Sequence, residues 1–347
     1  MKLPFLKKSM TTLAGLLCIS TANLQAYDDF EWCNCFNWCP CYNLFVGAEG
    51  LYWTVDQRDL DYAIDVDASD GATEIVGPGH VHFLDYHYRG GVRFWVGFQG
   101  QNNWDLLFAY TSYRNNSHED HTGTAGETLL LATLVHPAIT NSTALSAELR
   151  SKLTYRSYDL LLGNQLSFYC EDFFVHPFIG VRGLTLDQHI SGSYTGGDFG
   201  NTQEEIKFKS DLNAIGLHAG MGFDYQFCYG IGFYGEFAGS LLAGKTHNHQ
   251  VENHLDANGD LIRNEVNFRE HENVMIPGWS LKAGLSWNPC YAYEGINMIC
   301  TIGYEFNQWF NTPQYRRFVN DTTRGVSCKN NGIIGLHGTT VSVTLFF

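Results

Sequence analysis

The chain has 347 residues, with 36 acidic against 21 basic side chains and a formal charge of −15. Phosphates would be repelled, so no nucleic-acid partner is expected, and no P-loop, dinucleotide fingerprint or HExxH metalloprotease motif occurs. Mean hydropathy is −0.18, too polar for a helical membrane protein, while glycine (36), scarce proline (8) and 15% aromatics suit a sheet whose faces alternate between apolar and polar.

At the amino end, Lys2, Lys7 and Lys8 precede an apolar run from Met10 to Ile19, and Leu24-Gln25-Ala26 offers a small residue for cleavage. Residues 1–26 therefore read as a secretory signal peptide, cleaved near Ala26. Leu17 is too large for lipoprotein processing before Cys18. Residues 27–44 read as a Cys-rich periplasmic lead-in and residues 45–347 as the folded domain. No later run approaches the roughly 18 apolar residues of a spanning helix. An exported chain without such a helix is soluble or a barrel.

Beyond the lead-in, apolar and polar residues alternate with a period of two, the signature of strands. Val92, Phe94, Val96 and Phe98 oppose Arg93, Trp95, Gly97 and Gln99. Ile215 to Phe227 and Trp279 to Trp287 alternate in the same way, with Tyr225, Trp279 and Trp287 placed as an interfacial girdle. Strands are expected at 45–55, 80–99, 104–114, 149–169, 173–188, 205–227, 231–244, 266–287, 295–310 and 332–347. Short connections (Gly100–Asn103, Cys170–Asp172, Cys228–Gly230, Asn288–Glu294) alternate with long polar ones (about 56–79, 115–148, 189–204, 245–265 and 311–331). The last strand places Val341, Val343, Leu345 and Phe347 on one face and Thr340, Ser342, Thr344 and Phe346 on the other. A terminal aromatic with apolar residues at alternate positions marks the closing strand of an outer-membrane barrel. Val343, Leu345 and Phe347 are accordingly the expected barrel-assembly signal. The fold class expected is all-β: a transmembrane up-and-down antiparallel β-barrel of about ten strands (about 8–12), with short periplasmic turns and long extracellular loops.

With these segments placed, the chain resembles the pore-forming major-outer-membrane-protein-like family of Legionella and chlamydia-related bacteria. The resemblance runs through FVGAEGLYWTVDQRDLDYA (45–63), GGVRFWVGFQGQNNWDLLFAYT (90–111), YDLLLGNQ (158–165), HPFIGVRGLTLDQ (176–188), GLHAGMGFDYQFCYGIGFYGEFAGSLLAG (216–244) and GLHGTTVSVTLFF at the end. It implies an outer-membrane porin and supplies no catalytic residues.

Charges expected on the lumen face are Glu49, Arg93, Asp105, Asp159, Arg182, Asp224, Glu236, Lys282 and Glu305. They read either as salt bridges plugging a narrow barrel or as the wall of a mildly cation-favouring pore. Of the ten cysteines, Cys33, Cys35, Cys39 and Cys41 lie in the lead-in, and Cys170, Cys228 and Cys290 fall in or beside short turns. All seven map to the periplasmic rim, as disulfide candidates in an oxidising compartment. Internal staples, zinc, and the intermolecular cross-links suggested by the resemblance to chlamydial envelope proteins remain open.

The 14 histidines, including the pairs His80/His82 and His247/His249, read as isolated surface groups rather than a metal site. Asp256, Asn258 and Asp260 imitate a calcium loop, but Leu261 and Asn267 replace its glycine and closing glutamate, so DANGD reads as a turn. No cofactor is implied. LLLATLV (129–135) is apolar for a loop, and packs on the rim or a partner, or folds into the mouth. The acidic run Asp56, Asp59, Asp61, Asp65, Asp67, Asp70 and Glu74 reads as a solvated face. Expected partners are outer-membrane lipid and lipopolysaccharide, the barrel-assembly machinery, and a second copy or disulfide-linked envelope proteins. The expected function is passive diffusion of small hydrophilic solutes. The alternatives are a structural barrel that stabilises the envelope through disulfides and, third, an outer-membrane hydrolase using a pair such as Asp85 and His87.

Overall fold

The computed structural model describes residues 44–57, 60–67, 79–100, 103–124, 128–136, 143–168, 173–289, 296–313, 315–318, 326–328 and 331–347. The signal peptide and the lead-in cysteines lie outside them. Ten antiparallel wall strands close into a barrel: β1 (Leu44–Asp56), β2 (Arg89–Gln99), β3 (Trp104–Thr122), β4 (Ser146–Asn164), β5 (Phe173–Thr195), β6 (Gln203–Gln226), β7 (Ile231–Leu255), β8 (Leu261–Trp287), β9 (Asn297–Pro313) and β10 (Asn331–Phe346). Each pairs with its sequence neighbours, and β10 pairs with β1 from Phe346↔Phe45 to Gly335↔Asp56, which closes the wall. Closure leaves no backbone edge to face hydrocarbon. No helix among the described residues is long and apolar enough to cross a membrane; the strands do so.

Alternation fixes which side each residue faces. Val92, Phe94, Val96 and Phe98 are exposed on the outer face, and Val341, Val343, Ile215, Leu217, Met221, Leu281 and Leu285 join them. On β8 the outward residues are apolar from Met275 to Trp287 and polar at Asn267, Arg269, His271 and Asn273. At about 3.3 Å per residue and a tilt near 45°, the Met275–Trp287 stretch is about 28 Å tall, the height of a bilayer core. Aromatic rings mark both borders: Trp104, Tyr225, Phe227 and Trp287 at the short-turn end, and Tyr52, Tyr158 and Tyr304 toward the loop end.

The wall continues well beyond that band. The stretches 115–148, 189–204 and 245–265, expected as loops, are largely strand: β3 reaches Thr122, β5 reaches Thr195, β7 reaches Leu255 and β8 starts at Leu261. Above the lipid the outer face meets water, so outward His118, Asp120, His189, Ser191, Lys245 and His247 are polar and make the segments look like loops. Inward residues beside them, among them Ser117, Ile190, Tyr194, Thr246 and Asn248, are buried. DANGD is a tight turn: the backbone N–H groups of Asn258 and Asp260 donate to Asp256 Oδ1 (2.9 and 2.8 Å), and Gly259 takes φ 85°, which favours glycine.

The expected strand 80–99 is divided. Its wall part begins at Arg89, and Val81–Phe83 belongs to a separate four-stranded sheet with Asp61–Asp67, Thr128–Ala132 and Thr143–Ala144. That sheet carries most of LLLATLV, and it folds into the loop-end mouth rather than outward.

Candidate functional site: a charge belt below a capped mouth

Two layers fill the barrel interior. The upper layer is an apolar core made by the small sheet and the inward face of the wall. Leu60, Tyr62, Ala63, Leu130 and Leu134 from the insert pack in one buried cluster with Leu149, Leu153, Leu186, Ile190, Tyr194, Ile206, Phe208, Trp309, Ile334 and Leu336. The insert is stitched through its backbone to the wall and to the 315–318 segment. The Tyr194 hydroxyl donates to the Tyr62 carbonyl and the Tyr315 hydroxyl to the Leu134 carbonyl (both 2.6 Å), while the backbone N–H of His136 donates to Glu252 Oε1 at 2.8 Å. Arg317 forks onto Asp61 with Nη1–Oδ2 at 3.0 Å and Nη2–Oδ1 at 2.5 Å. Asp61, expected on a solvated acidic face, is therefore an anchor.

Glu252 lies above the lipid band, fully buried. Burial, opposed by the His136 N–H and reinforced by nearby Glu204 and Glu265, pushes its carboxyl up to about 8. Burial also raises the neighbouring Glu204, against the pull of His254 at 2.9 Å.

The lower layer sits inside the lipid-embedded half and is polar. Each of the nine expected lumen charges lies on the inward side of its strand. Glu49 and Arg93 are direct cross-strand partners, as are Asp159 and Arg182, Glu236 and Lys282, and Lys282 and Glu305. The fold assembles four of them into one network. Arg93 Nη1 meets Glu49 Oε2 at 2.6 Å, and its two terminal nitrogens grip Glu305 at 2.9 and 2.8 Å. Lys282 Nζ bonds to Glu49 Oε1. Thr111 accepts from Arg93 Nε at 3.0 Å, and Asn307 donates to Glu305 at 3.0 Å. The Arg93 guanidinium lies 5.7 Å from the Trp53 ring centre. Arg182 clamps Asp159 (2.5 and 2.9 Å), and His176 Nε2 meets Asp105 Oδ2 at 2.6 Å.

The belt borders a cavity of about 240 Å³, lined among others by Asp105, Asp159, His218, Glu236 and Lys282. A second cavity of about 330 Å³ opens toward the short-turn end and shares Trp95, Asp105, His176 and Glu236 with the first. The two form one vestibule leading up to the belt. Its shape depends on a glycine: a Cβ on Gly47 would lie 2.2 Å from the Trp95 ring, so only glycine lets that ring lie flat on the wall. Glu236 and Asp224 face this space outside the ion-pair network, and Asp224 accepts hydrogen bonds from Ser286 (3.1 Å) and Gln226 (3.3 Å).

The sequence reading gave no role to His176 or His218, although a period of two puts them on the inward face with Arg182 and Asp224. It also missed the Glu204–Glu252–His254 cluster, because the segment was read as loop. Asp85 and His87 are exposed, and their backbone carbonyls accept from Ser117 and from Asn115 (2.8 Å) respectively. Cys170 and Cys290, like the four lead-in cysteines, lie outside the described residues, as does the side chain of Cys228. Cys300 and Cys328 are free thiols.

Among solved structures, the fold resembles the outer membrane protease OmpT from Escherichia coli, with TM-score 0.44 and 11% identity over 89% of this chain and 98% of that one. It also resembles a Pseudomonas aeruginosa FadL homologue, with TM-score 0.26 and 7% identity over 88% and 90%. The P. putida toluene transporter TodX scores 0.19 at 9% identity over 88% and 90%. Likeness at these levels carries nothing about activity. No curated protein matches the sequence. A family model described as the Legionella pneumophila major outer membrane protein precursor matches residues 38–347, the lead-in's end and the whole barrel: the chain is an outer-membrane β-barrel of that family.

Proposed function

We propose that the protein is a channel for passive diffusion of small hydrophilic solutes, with a mild preference for cations, closed at its loop end in the conformation described. The observation that carries this reading is the vestibule, whose wall carries Asp105, Asp224 and Glu236 among aromatic rings. A barrel serving only as a support has no need of a charged, cavity-containing interior in its lipid-embedded half, where an apolar core packs more simply. The network of Glu49, Arg93, Glu305 and Lys282 balances its own charge, as does the Asp159–Arg182 pair, so the remaining Asp105, Asp224 and Glu236 set the sign of the vestibule. Moving the apolar insert and parting the Glu49–Arg93–Glu305–Lys282 network below it would join the vestibule to the outside.

A second reading, a structural barrel tied to the envelope by the rim cysteines, is favoured by the dense anchoring of the insert. No residue set in this reading performs catalysis, and the partners are lipid, lipopolysaccharide and the barrel-assembly machinery. Planar-bilayer recordings of refolded chain, wild type and with the insert loosened by Leu130→Asp, separate the two. Unitary conductance that rises in the variant and reverses toward cations supports the channel. Silence from both, with folding intact, leaves the structural barrel.

A further inference from the structure

We infer that Asp65, His82 and His121 form a binding site for a zinc-class divalent ion that pins the insert to the wall. The three come from separate elements: Asp65 from Asp61–Asp67, His82 from Val81–Phe83 and His121 from the upper end of β3. His82 Nε2 and His121 Nε2 lie 2.9 and 3.4 Å from the same atom, Asp65 Oδ1, and a ligand atom of each residue lies within 4.8 Å of the others. Bonds of about 2.0–2.1 Å to a tetrahedral ion hold neighbouring donors about 3.3 Å apart, so the observed spacings need little adjustment.

Hydrogen bonding does not account for the cluster. Asp65 Oδ1 and His82 Nε2 approach to 2.9 Å without the alignment of a hydrogen bond, and neither buried atom has another hydrogen-bond partner. The two imidazole rings stack at 3.8 Å with an interplanar angle of 27°, which brings both Nε2 atoms to the same side, against Asp65. A cation between the three donors gives these buried atoms a common partner. Two imidazole nitrogens and one carboxylate oxygen match zinc, nickel or copper, whereas calcium and magnesium prefer all-oxygen shells. The side chains are 17–36% exposed, enough for an ion to enter and for water to complete its shell.

The backbone sets the residues in place beforehand: Asp65 N–H donates to the His80 carbonyl at 2.9 Å, and Ala63 pairs with His82. Two ligands belong to the insert and one to the wall, so an ion here closes a link between them. The consequence for gating rests on the channel reading; the binding does not.

The test is calorimetric titration of Zn²⁺ into detergent-refolded full chain, with X-ray absorption of the loaded protein. Wild type is expected to take one equivalent with two nitrogen neighbours. His121→Asn, at a partly exposed position, should weaken binding at least tenfold while the protein still migrates as a folded barrel, and His247→Asn on the outer surface should leave binding unchanged. Equal binding by wild type and His121→Asn, or an all-oxygen shell, overturns the site. Wild-type conductance that falls in Zn²⁺ while His121→Asn is unaffected supports the pin. Binding without that effect leaves the site standing and removes the gating role.

Discussion

Replacing Arg93 by methionine tests whether the belt is a single electrostatic unit. Methionine keeps much of the volume, but it removes the guanidinium that is hydrogen-bonded to both Glu49 and Glu305. The side chains of the two glutamates are 0% and 6% exposed, and that of Arg93 is 18% exposed. Leaving buried carboxylates without their partner costs about 3–5 kcal/mol. Lys282 still holds Glu49, and the adjoining cavity admits water, so the expected loss lies at the lower end, about 3 kcal/mol, or roughly a hundredfold in the folding equilibrium. Urea unfolding of the refolded chain in micelles, followed by tryptophan fluorescence, measures this. A second change, Glu305→Gln in the Arg93→Met background, should recover about half the loss, because the most exposed deficit is then neutralised. Arg93→Met within about 0.5 kcal/mol of wild type would refute the reasoning, since surface pairs, not buried ones, are worth that little. So would a double variant whose losses simply add, because groups acting as one network couple.

Three further outcomes are expected. Leu130→Ala, at a fully buried insert position, should cost about 2–5 kcal/mol of insert stability and expose the insert to external protease while the wall still migrates as folded barrel on unheated gels. Because Glu252 has a folded-state value near 8, above the ordinary carboxylate range, the folded state holds a proton that the unfolded state releases. Insert protection measured by hydrogen exchange should therefore be greatest at acid pH and decline as pH rises from about 4.5 toward 8, and Glu252→Gln should flatten that decline. Deleting Phe347, whose backbone N–H donates to the Leu44 carbonyl at 2.9 Å, should reduce the amount of heat-modifiable barrel in outer membranes, and Phe347→Tyr should restore it.

The membrane half was legible in the sequence because its two faces meet different solvents. Val92 and Phe94 against Arg93, or Leu281 against Lys282, state inside and outside by period alone, and the short turns then set strand order. The upper half was misread for a physical reason. There the outer face meets water, so His189, Ser191 and Ser193 carry the polarity of a loop, and buried Ile190 between them reads as an isolated hydrophobe. The insert was legible only as an anomaly, in LLLATLV. Its pairing with Asp61–Asp67 joins segments about sixty residues apart, which no local pattern encodes. The same holds for the Asp65–His82–His121 cluster: the obvious candidates, His80 with His82, shared a strand, whereas the convergent set comes from three elements. His247 and His249 stay on the outer surface, with the His247 ring 4.7 Å from that of His271.

The extension of the wall strands past the lipid changes what kind of surface the cell presents. Antibodies, phage or neighbouring cells meet a rigid, hydrogen-bonded palisade in place of pliant loops, with its outward side chains spaced at fixed intervals. On β6 every second residue, from Glu205 through Lys207 and Lys209 to Asp211, stands outward, so each can be exchanged without disturbing the buried residue beside it. Recognition there depends on strands held side by side, and it should vanish on boiling even where each linear segment remains intact.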